Sequence, residues 1–243
     1  RYSASTPSPS PRFASSSASH RDKRALILYI FLFDIDGTLI DSAGAGGRAM
    51  TAAFAEVLGI ERPFKAFDLV GRTDAGILHE VCLSHLGREA TVDETERFYA
   101  AYLGRLEADL RVGTDVRVLP GCEAVLETLE ARGDVLIGLG TGNVEAGATL
   151  KLSGTPFLPY VRFGGYGGDA AERSQLLRCG VERARALDAR ASRDPRDTWV
   201  IGDSLRDVEA AHAIGATAVA LASGWQDEAT LATASPEHLY PDM

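Results

Sequence analysis

The chain has few cysteines and fewer basic than acidic residues, and both shortages limit what it can do. Its three cysteines, Cys82, Cys122 and Cys179, are widely spaced and form no CxxC pair. We therefore expect small buried hydrophobic side chains in a reducing compartment. The 25 basic residues face 34 acidic ones, which gives a formal net charge of −9. A nucleic-acid surface needs clustered lysine and arginine, so we expect no nucleic-acid partner.

Membrane insertion and secretion are also excluded by what is missing. The most prominent apolar run, Ala25–Phe33, has nine residues, whereas a spanning helix needs roughly 20. Three aspartates, Asp34, Asp36 and Asp41, follow that run, where a signal peptide carries none. We expect a cytoplasmic protein with no membrane partner. Residues 1–24 are rich in serine, proline and arginine, which predicts a disordered tail and leaves organelle targeting open.

The rest of the sequence alternates between strand and helix patterns, except for one helical stretch. With 45% hydrophobic residues the chain can form one large domain or two modest ones. Short links between alternating elements predict an α/β fold, a Rossmann-like parallel sheet covered by helices on both faces. The predicted strands are Ala25–Phe33, Val135–Leu139, Tyr160–Phe163, Thr198–Ile201 and Thr217–Leu221.

Between the first two of these strands the pattern is helical. Apolar spacing predicts helices over Arg48–Gly59, Thr73–Leu86 and Asp93–Leu110, after a flexible link at Gly44–Gly47. We therefore divide the chain into an α/β core domain, residues 25–42 and 116–243, and a helical cap domain, residues 43–115.

Three predicted strand ends carry polar side chains. They read Asp34-Ile35-Asp36-Gly37-Thr38, then Thr141-Gly142-Asn143, then Gly202-Asp203-Ser204-Leu205-Arg206-Asp207. Ligands of open parallel sheets bind outside the carboxyl ends of the strands. Residues two apart on an extended chain point the same way, so Asp34 and Asp36 can face one site. With Asp203, and Asp207 as a further candidate, they form the oxygen cluster that Mg²⁺ prefers.

The second strand end predicts a phosphate site. Backbone amides around Gly142 and Asn143, with the Thr141 hydroxyl, would bind phosphate oxygens at a helix N-terminus. Two simpler interpretations stay open. Thr141 can be a helix cap, and Asp207 can interact favourably with the dipole of its own helix.

Taken in this order, the three strand ends resemble the haloacid dehalogenase superfamily with an α-helical, C1-type cap, in its phosphoglycolate phosphatase-like and β-phosphoglucomutase-like branch. The resemblance implies that Asp34 is the nucleophile and that Asp36 gives and takes the proton. It implies Mg²⁺ held by Asp34, Asp203 and the backbone carbonyl of Asp36, with Asp207 as a ligand or just behind it.

The implied function is a Mg²⁺-dependent phosphatase acting on a small phosphorylated metabolite through an aspartyl-phosphate. Asp36 favours this reaction over dehalogenation, since a halide leaves without a proton. Two alternatives remain: a sugar phosphomutase with the same nucleophile, and a catalytically weak phosphate-binding or regulatory protein.

One expected feature is missing. Relatives carry a lysine opposite the nucleophile, but this chain has only Lys23, Lys65 and Lys151. Either Arg173 replaces it, or Lys151 reaches in from two helical turns beyond Asn143, about 12 Å of rise. We favour Arg173, whose planar fork suits phosphate.

The cap also offers a substrate contact. We expect Arg72, in Gly71-Arg72-Thr73-Asp74, to recognise an anionic group of the substrate; equally, Thr73 can be a helix N-cap and Arg72 a surface residue.

Overall fold

A computed structural model describes residues 27–65, 69–111 and 116–243. The predicted disordered tail, residues 1–24, lies outside these ranges, as do Ala25 and Leu26 of the predicted first strand. Within the described residues, every helix is too short or too polar to cross a bilayer.

The described part of the chain contains eight strands, eight α-helices and two short 3-10 helices, Leu158–Tyr160 and Pro195–Asp197. The strands are β1 Tyr29–Phe33, β2 Ile40–Asp41, β3 Arg117–Val118, β4 Val135–Thr141, β5 Gly164–Tyr166, β6 Thr198–Gly202, β7 Thr217–Leu221 and β8 His238–Tyr240. The helices are α1 Ala45–Leu58, α2 Asp74–Leu86, α3 Val92–Arg111, α4 Cys122–Arg132, α5 Glu145–Leu152, α6 Arg173–Leu187, α7 Leu205–Ile214 and α8 Glu228–Ala232.

Six of the strands form one parallel sheet in the order β5-β4-β1-β6-β7-β8. Strand β1 is central, with Phe33 beside Leu139 of β4 and Ile201 of β6. The carboxyl ends of these three strands therefore meet at one edge. The remaining pair, β2 and β3, is antiparallel and joins the two chain segments that flank the helical stretch.

Alternate residues of β1 enter two hydrophobic clusters, one on each face of the sheet. Ile30 and Leu32 pack with helices α6 and α7, whereas Phe33 packs with helices α4 and α5. Because both faces are covered, the strands are apolar on both sides, as a parallel sheet requires. The predicted α/β fold is confirmed.

Helices α1 to α3 enclose a third cluster built around Phe54, Phe98 and Tyr102, all fully buried. The three predicted helices are present, but the predicted flexible link is wrong. Helix α1 already begins at Ala45, directly after Gly44, whose φ of 75° suits glycine in the left-handed region. The division into core and cap domains stays a prediction.

Two further predictions near β5 are wrong. The strand expected at Tyr160–Phe163 lies at Gly164–Tyr166, which an apolar pattern misses because two of its three residues are glycines. Helix α6 packs so closely on this strand that a Cβ on Gly165 would come within 1.9 Å of the Leu176 carbonyl oxygen. The sequence pattern also predicts a helix over Asp169–Leu187, but helix α6 begins at Arg173, since the Asp169 carboxylate accepts from the Tyr166 amide at 2.9 Å and closes a turn.

Candidate active site

A cavity of about 580 Å³ lies at the carboxyl edge of the sheet, between the strand ends and helices α1 to α3. It is lined by residues that follow three strands: Asp34 and Asp36 after β1, Asn143 after β4 and Asp203 after β6. The sheet order places β4 and β6 on either side of β1, so residues far apart in sequence share one site. The structure thus brings the three predicted strand ends together.

Asp34 is buried and faces a guanidinium. Arg173 Nη2 lies 3.0 Å from Asp34 Oδ2 and 2.5 Å from Asp207 Oδ1. The side chains of Arg173 and Asp34 are both less than one-tenth exposed. Burial raises the pKa of Asp34 to about 6, and the Arg173 charge opposes that rise. Arg173 therefore takes the position opposite Asp34 that was expected of it.

Asp36 has a separate cation. Its carboxylate accepts from Lys151 Nζ at 2.5 Å, from Asn143 Nδ2 at 3.0 Å and from Ser42 Oγ at 2.8 Å. Burial alone would raise the pKa of Asp36, but the Lys151 charge and these hydrogen bonds hold it below its ordinary value. Lys151 does reach the site from helix α5, and it meets Asp36 and not Asp34. The two candidate cations thus divide the two carboxylates between them.

Three buried carboxylates cluster beside the cavity. Oxygen atoms of Asp34, Asp203 and Asp207 lie within 4.8 Å of one another. Burial, with the charges of Asp207 and Asp34, raises the pKa of Asp203 to about 8. One guanidinium, Arg173, cannot balance three carboxylates at such distances. The donor set and its surplus negative charge fit a hard divalent cation such as Mg²⁺.

Asp207 also has a structural role. Its Oδ2 accepts from the Ser204 amide at 3.1 Å and from Ser204 Oγ at 2.6 Å, while Ser204 caps helix α7. This capping box fixes Asp207, and its other oxygen faces Arg173. One oxygen of Asp207 therefore stabilises its own helix, and the other lies in the site.

The loop predicted to bind phosphate is held by hydrogen bonds between its own residues. Thr141 is fully buried, and its Oγ1 accepts from the Asn143 amide at 3.3 Å and from Asn143 Nδ2 at 2.9 Å. The cap residue of helix α5 is Val144, so Thr141 is not that helix's N-cap. Gly142 and Asn143 do line the cavity.

Asp74, at the start of helix α2, is a site residue that sequence reasoning missed. The Val144 amide, at the N-terminus of helix α5, donates to Asp74 Oδ2 at 2.8 Å, and the Asp74 amide donates to the Gly142 carbonyl at 2.7 Å. Tyr102 also bonds to its carboxylate, and burial raises the pKa of Asp74 to about 6. The sequence shows only an aspartate directly after Thr73. Its partner, the Val144 amide, is 70 residues away, so the sequence does not reveal the contact.

The segment from Val70 to Asp74, which we name the strap, lies across the strand-end loops. Thr73 Oγ1 donates to the Ala171 carbonyl at 2.7 Å, and Arg173 Nη1 donates to the Gly71 carbonyl at 3.1 Å. Gly142 approaches so closely that a Cβ there would lie 2.1 Å from the Arg72 carbonyl oxygen. Thr73 also caps helix α2, as the simpler interpretation held. Arg72 lines the cavity, and its guanidinium pairs with Glu80.

The sequence model of the haloacid dehalogenase-like hydrolase family matches residues 30–215. The chain belongs to this family. The match spans β1 through helix α7 and therefore includes all three strand ends of the site. The resemblance stated from the sequence and the prediction of a hydrolytic enzyme are both confirmed.

Individual relatives of this hydrolase match it over most of their length and most of its own. A phosphoglycolate phosphatase of Neisseria gonorrhoeae is 29% identical over 198 residues, 80% of each chain. A hydrolase structure from Pseudomonas syringae superposes with a TM-score of 0.66 at 23% identity and covers 88% of this chain and 94% of its own. CbbY from Rhodobacter sphaeroides, solved with xylulose-1,5-bisphosphate, gives 0.66 at 19% identity over 89% and 95%. The two structures share the fold.

Replacing Asp74 by alanine should loosen the strap of this hydrolase. Without its carboxylate the Val144 amide loses its acceptor, a hydrogen bond to a charged group worth about 1.5–3 kcal/mol. We expect hydrogen exchange of the backbone amides at positions 74 and 144 to become at least about tenfold faster. Asp93→Ala, on the exposed first turn of helix α3, is the matched control and should leave both rates unchanged. Unchanged exchange in Asp74→Ala would contradict this role.

Proposed function

We propose that this hydrolase is a Mg²⁺-dependent phosphatase that cleaves a small phosphorylated metabolite through an aspartyl-phosphate on Asp34. The observation that carries the proposal is the division of cations. Asp34 pairs with Arg173 and Asp36 with Lys151, so two carboxylates that line one cavity have different electrostatic surroundings. Such a pair can divide the roles of nucleophile and proton carrier.

Asp34 would attack phosphorus. Its carboxylate is fixed by Arg173, which also offers a planar fork to phosphoryl oxygens. The bond from phosphorus to the substrate oxygen breaks as the bond to Asp34 forms. The leaving alkoxide takes a proton from Asp36.

Asp36 would act twice. Lys151, Asn143 and Ser42 hold its pKa low in the free enzyme, which keeps Asp36 ionised, the form that can take a proton from water in the second step. In the first step the doubly negative phosphoryl group raises the pKa of Asp36 by repulsion, so that Asp36 can carry the proton for the leaving oxygen. The water attacks phosphorus and releases Asp34 with inorganic phosphate.

Asp34, Asp203 and the backbone carbonyl of Asp36 would hold Mg²⁺, with Asp207 beside them. When bound, Mg²⁺ supplies positive charge that keeps Asp34 ionised and offsets the charge of the phosphoryl group. The acidic cluster within 4.8 Å supports this assignment. The chain's own cations serve the same end, because Arg173 and Lys151 both lie within the site.

A phosphatase is supported by the family and by the phosphoglycolate phosphatase relative. The bisphosphate bound to the structural neighbour CbbY is a small phosphorylated molecule, and a cavity of about 580 Å³ accommodates ligands of that size. The strap would help to exclude water from the site.

Release of inorganic phosphate tests the proposal. With Mg²⁺ and a panel of phosphomonoesters, the native enzyme should release phosphate, and Asp34→Asn should lower kcat at least about 10³-fold because an amide is a poor nucleophile. Asp134→Asn, at a half-buried acid that pairs with Arg132 and does not line the cavity, is the matched control and should keep native activity.

Three other outcomes count against the proposal. Isomerised substrate without phosphate release would indicate the phosphomutase. No turnover of any phosphomonoester would indicate the phosphate-binding protein. Native activity of Asp34→Asn would exclude Asp34 as the nucleophile.

Replacing Lys151 by methionine should change the pH dependence of kcat. Lys151 lowers the pKa of Asp36, so its removal raises that pKa, and the ionised base needed for hydrolysis is lost at higher pH than in the native enzyme. We expect the acidic limb of the kcat–pH profile to move to higher pH. Lys65→Met, an exposed lysine, is the control. An unmoved acidic limb would show that Lys151 does not set the proton affinity of Asp36.

A further inference from the structure

One part of the cavity wall, on the side of helices α1 and α2, is apolar, although Arg72, Asp74 and Tyr102 also line that side. Four apolar side chains form this part of the wall: Met50 of helix α1, Leu69 just before the strap, Val70 of the strap and Ile77 of helix α2. Gly46 and Gly47, at the start of helix α1, leave room beside them. If the phosphoryl group lies at Asp34, the alcohol part of the substrate must lie against this wall.

The cations of the cavity are already matched by carboxylates. Lys151 and Arg173, which would serve the phosphoryl group, pair with Asp36 and Asp34. Farther out, Arg72 pairs with Glu80, and Arg117 Nη2 lies 2.5 Å from Asp41 Oδ2.

Each basic side chain that lines the described part of the cavity thus has an acidic partner. At Lys151, Arg173 and Arg72, a second anionic group on the substrate would have to displace one of these partners or enter without a counter-charge, which is costly in a partly buried site. At Arg117, whose side chain is 72% exposed, the cost is smaller.

An aromatic side chain stands at the mouth. Trp225 lines the cavity, yet 72% of its surface is exposed. The loop that carries it is fixed, since the Trp225 amide donates to Asp203 Oδ2 at 3.2 Å and Ser223 Oγ donates to the Gly37 carbonyl at 2.9 Å. A large indole held in water beside a cavity is suited to cover an apolar ligand.

We propose that the alcohol part of the substrate is uncharged and apolar, aromatic or alkyl, and that it packs between this wall and Trp225. This inference rests on the proposed phosphatase activity and concerns its selectivity. It disfavours substrates with a carboxylate or a second phosphate, including phosphoglycolate, the substrate named for the Neisseria relative.

The test compares benzyl phosphate, butyl phosphate and phosphoglycolate, which all release an aliphatic alcohol. With Mg²⁺ present, kcat/KM should be at least about tenfold higher for benzyl phosphate than for phosphoglycolate, because burial of a few apolar groups gives 10–200-fold discrimination. Trp225→Ala should lower kcat/KM for benzyl phosphate about fivefold and change that for butyl phosphate less.

A second variant adds a cation to the wall. Leu69→Arg should raise kcat/KM for phosphoglycolate relative to benzyl phosphate, whereas Leu83→Arg, exposed on helix α2 away from the cavity, should leave the ratio unchanged. Higher kcat/KM for phosphoglycolate in the native enzyme, or unchanged benzyl phosphate kinetics in Trp225→Ala, would overturn the inference while the phosphatase proposal stands. No phosphate release from any of the three esters or from other phosphomonoesters would overturn both.

Discussion

A buried guanidinium holds the site together. Arg173 is the first residue of helix α6, and it bridges Asp34 and Asp207 at the carboxyl edge of the sheet. The same side chain donates to the Gly140 carbonyl of β4 at 3.2 Å and to the Gly71 carbonyl of the strap. Without it, adjacent buried carboxylates would repel one another, and an unpaired buried charge is strongly destabilising. Arg173 therefore links Asp34 and Asp207 to both the sheet and the strap.

Much of the core of the site could be predicted from the sequence, because each strand end is a local pattern. An apolar run that ends in Asp34 and Asp36, and a second that ends in Asp203, can hardly be placed elsewhere than at the carboxyl edge of a parallel sheet. The partners of these acids are not local. Lys151 meets Asp36, and Asp74 meets the Val144 amide, because segments far apart in the sequence pack together. Neither spacing nor periodicity contains that information.

The two sides of the cavity differ in chemistry, and the difference follows from how they are built. The sheet side presents charges supplied by strand ends, each fixed by hydrogen bonds to neighbouring loops. Apart from Asp74, helices α1 and α2 present the apolar side chains of Met50 and Ile77 to the cavity, because these helices direct their apolar faces inward toward the cluster around Phe54. The arrangement separates the proposed phosphoryl chemistry from recognition of the alcohol.

The central claim is that Asp34 carries the phosphoryl group during turnover. Mass spectrometry of the enzyme quenched in acid during turnover of a phosphomonoester measures this directly. With an ester whose leaving group needs no proton, such as 4-nitrophenyl phosphate, an Asp36→Asn variant should form the intermediate and hydrolyse it slowly, so that it accumulates. The account predicts one added phosphoryl group on the peptide that contains Asp34, absent from Asp34→Asn. A phosphoryl group on another residue, or none on an enzyme that still turns over, would contradict it.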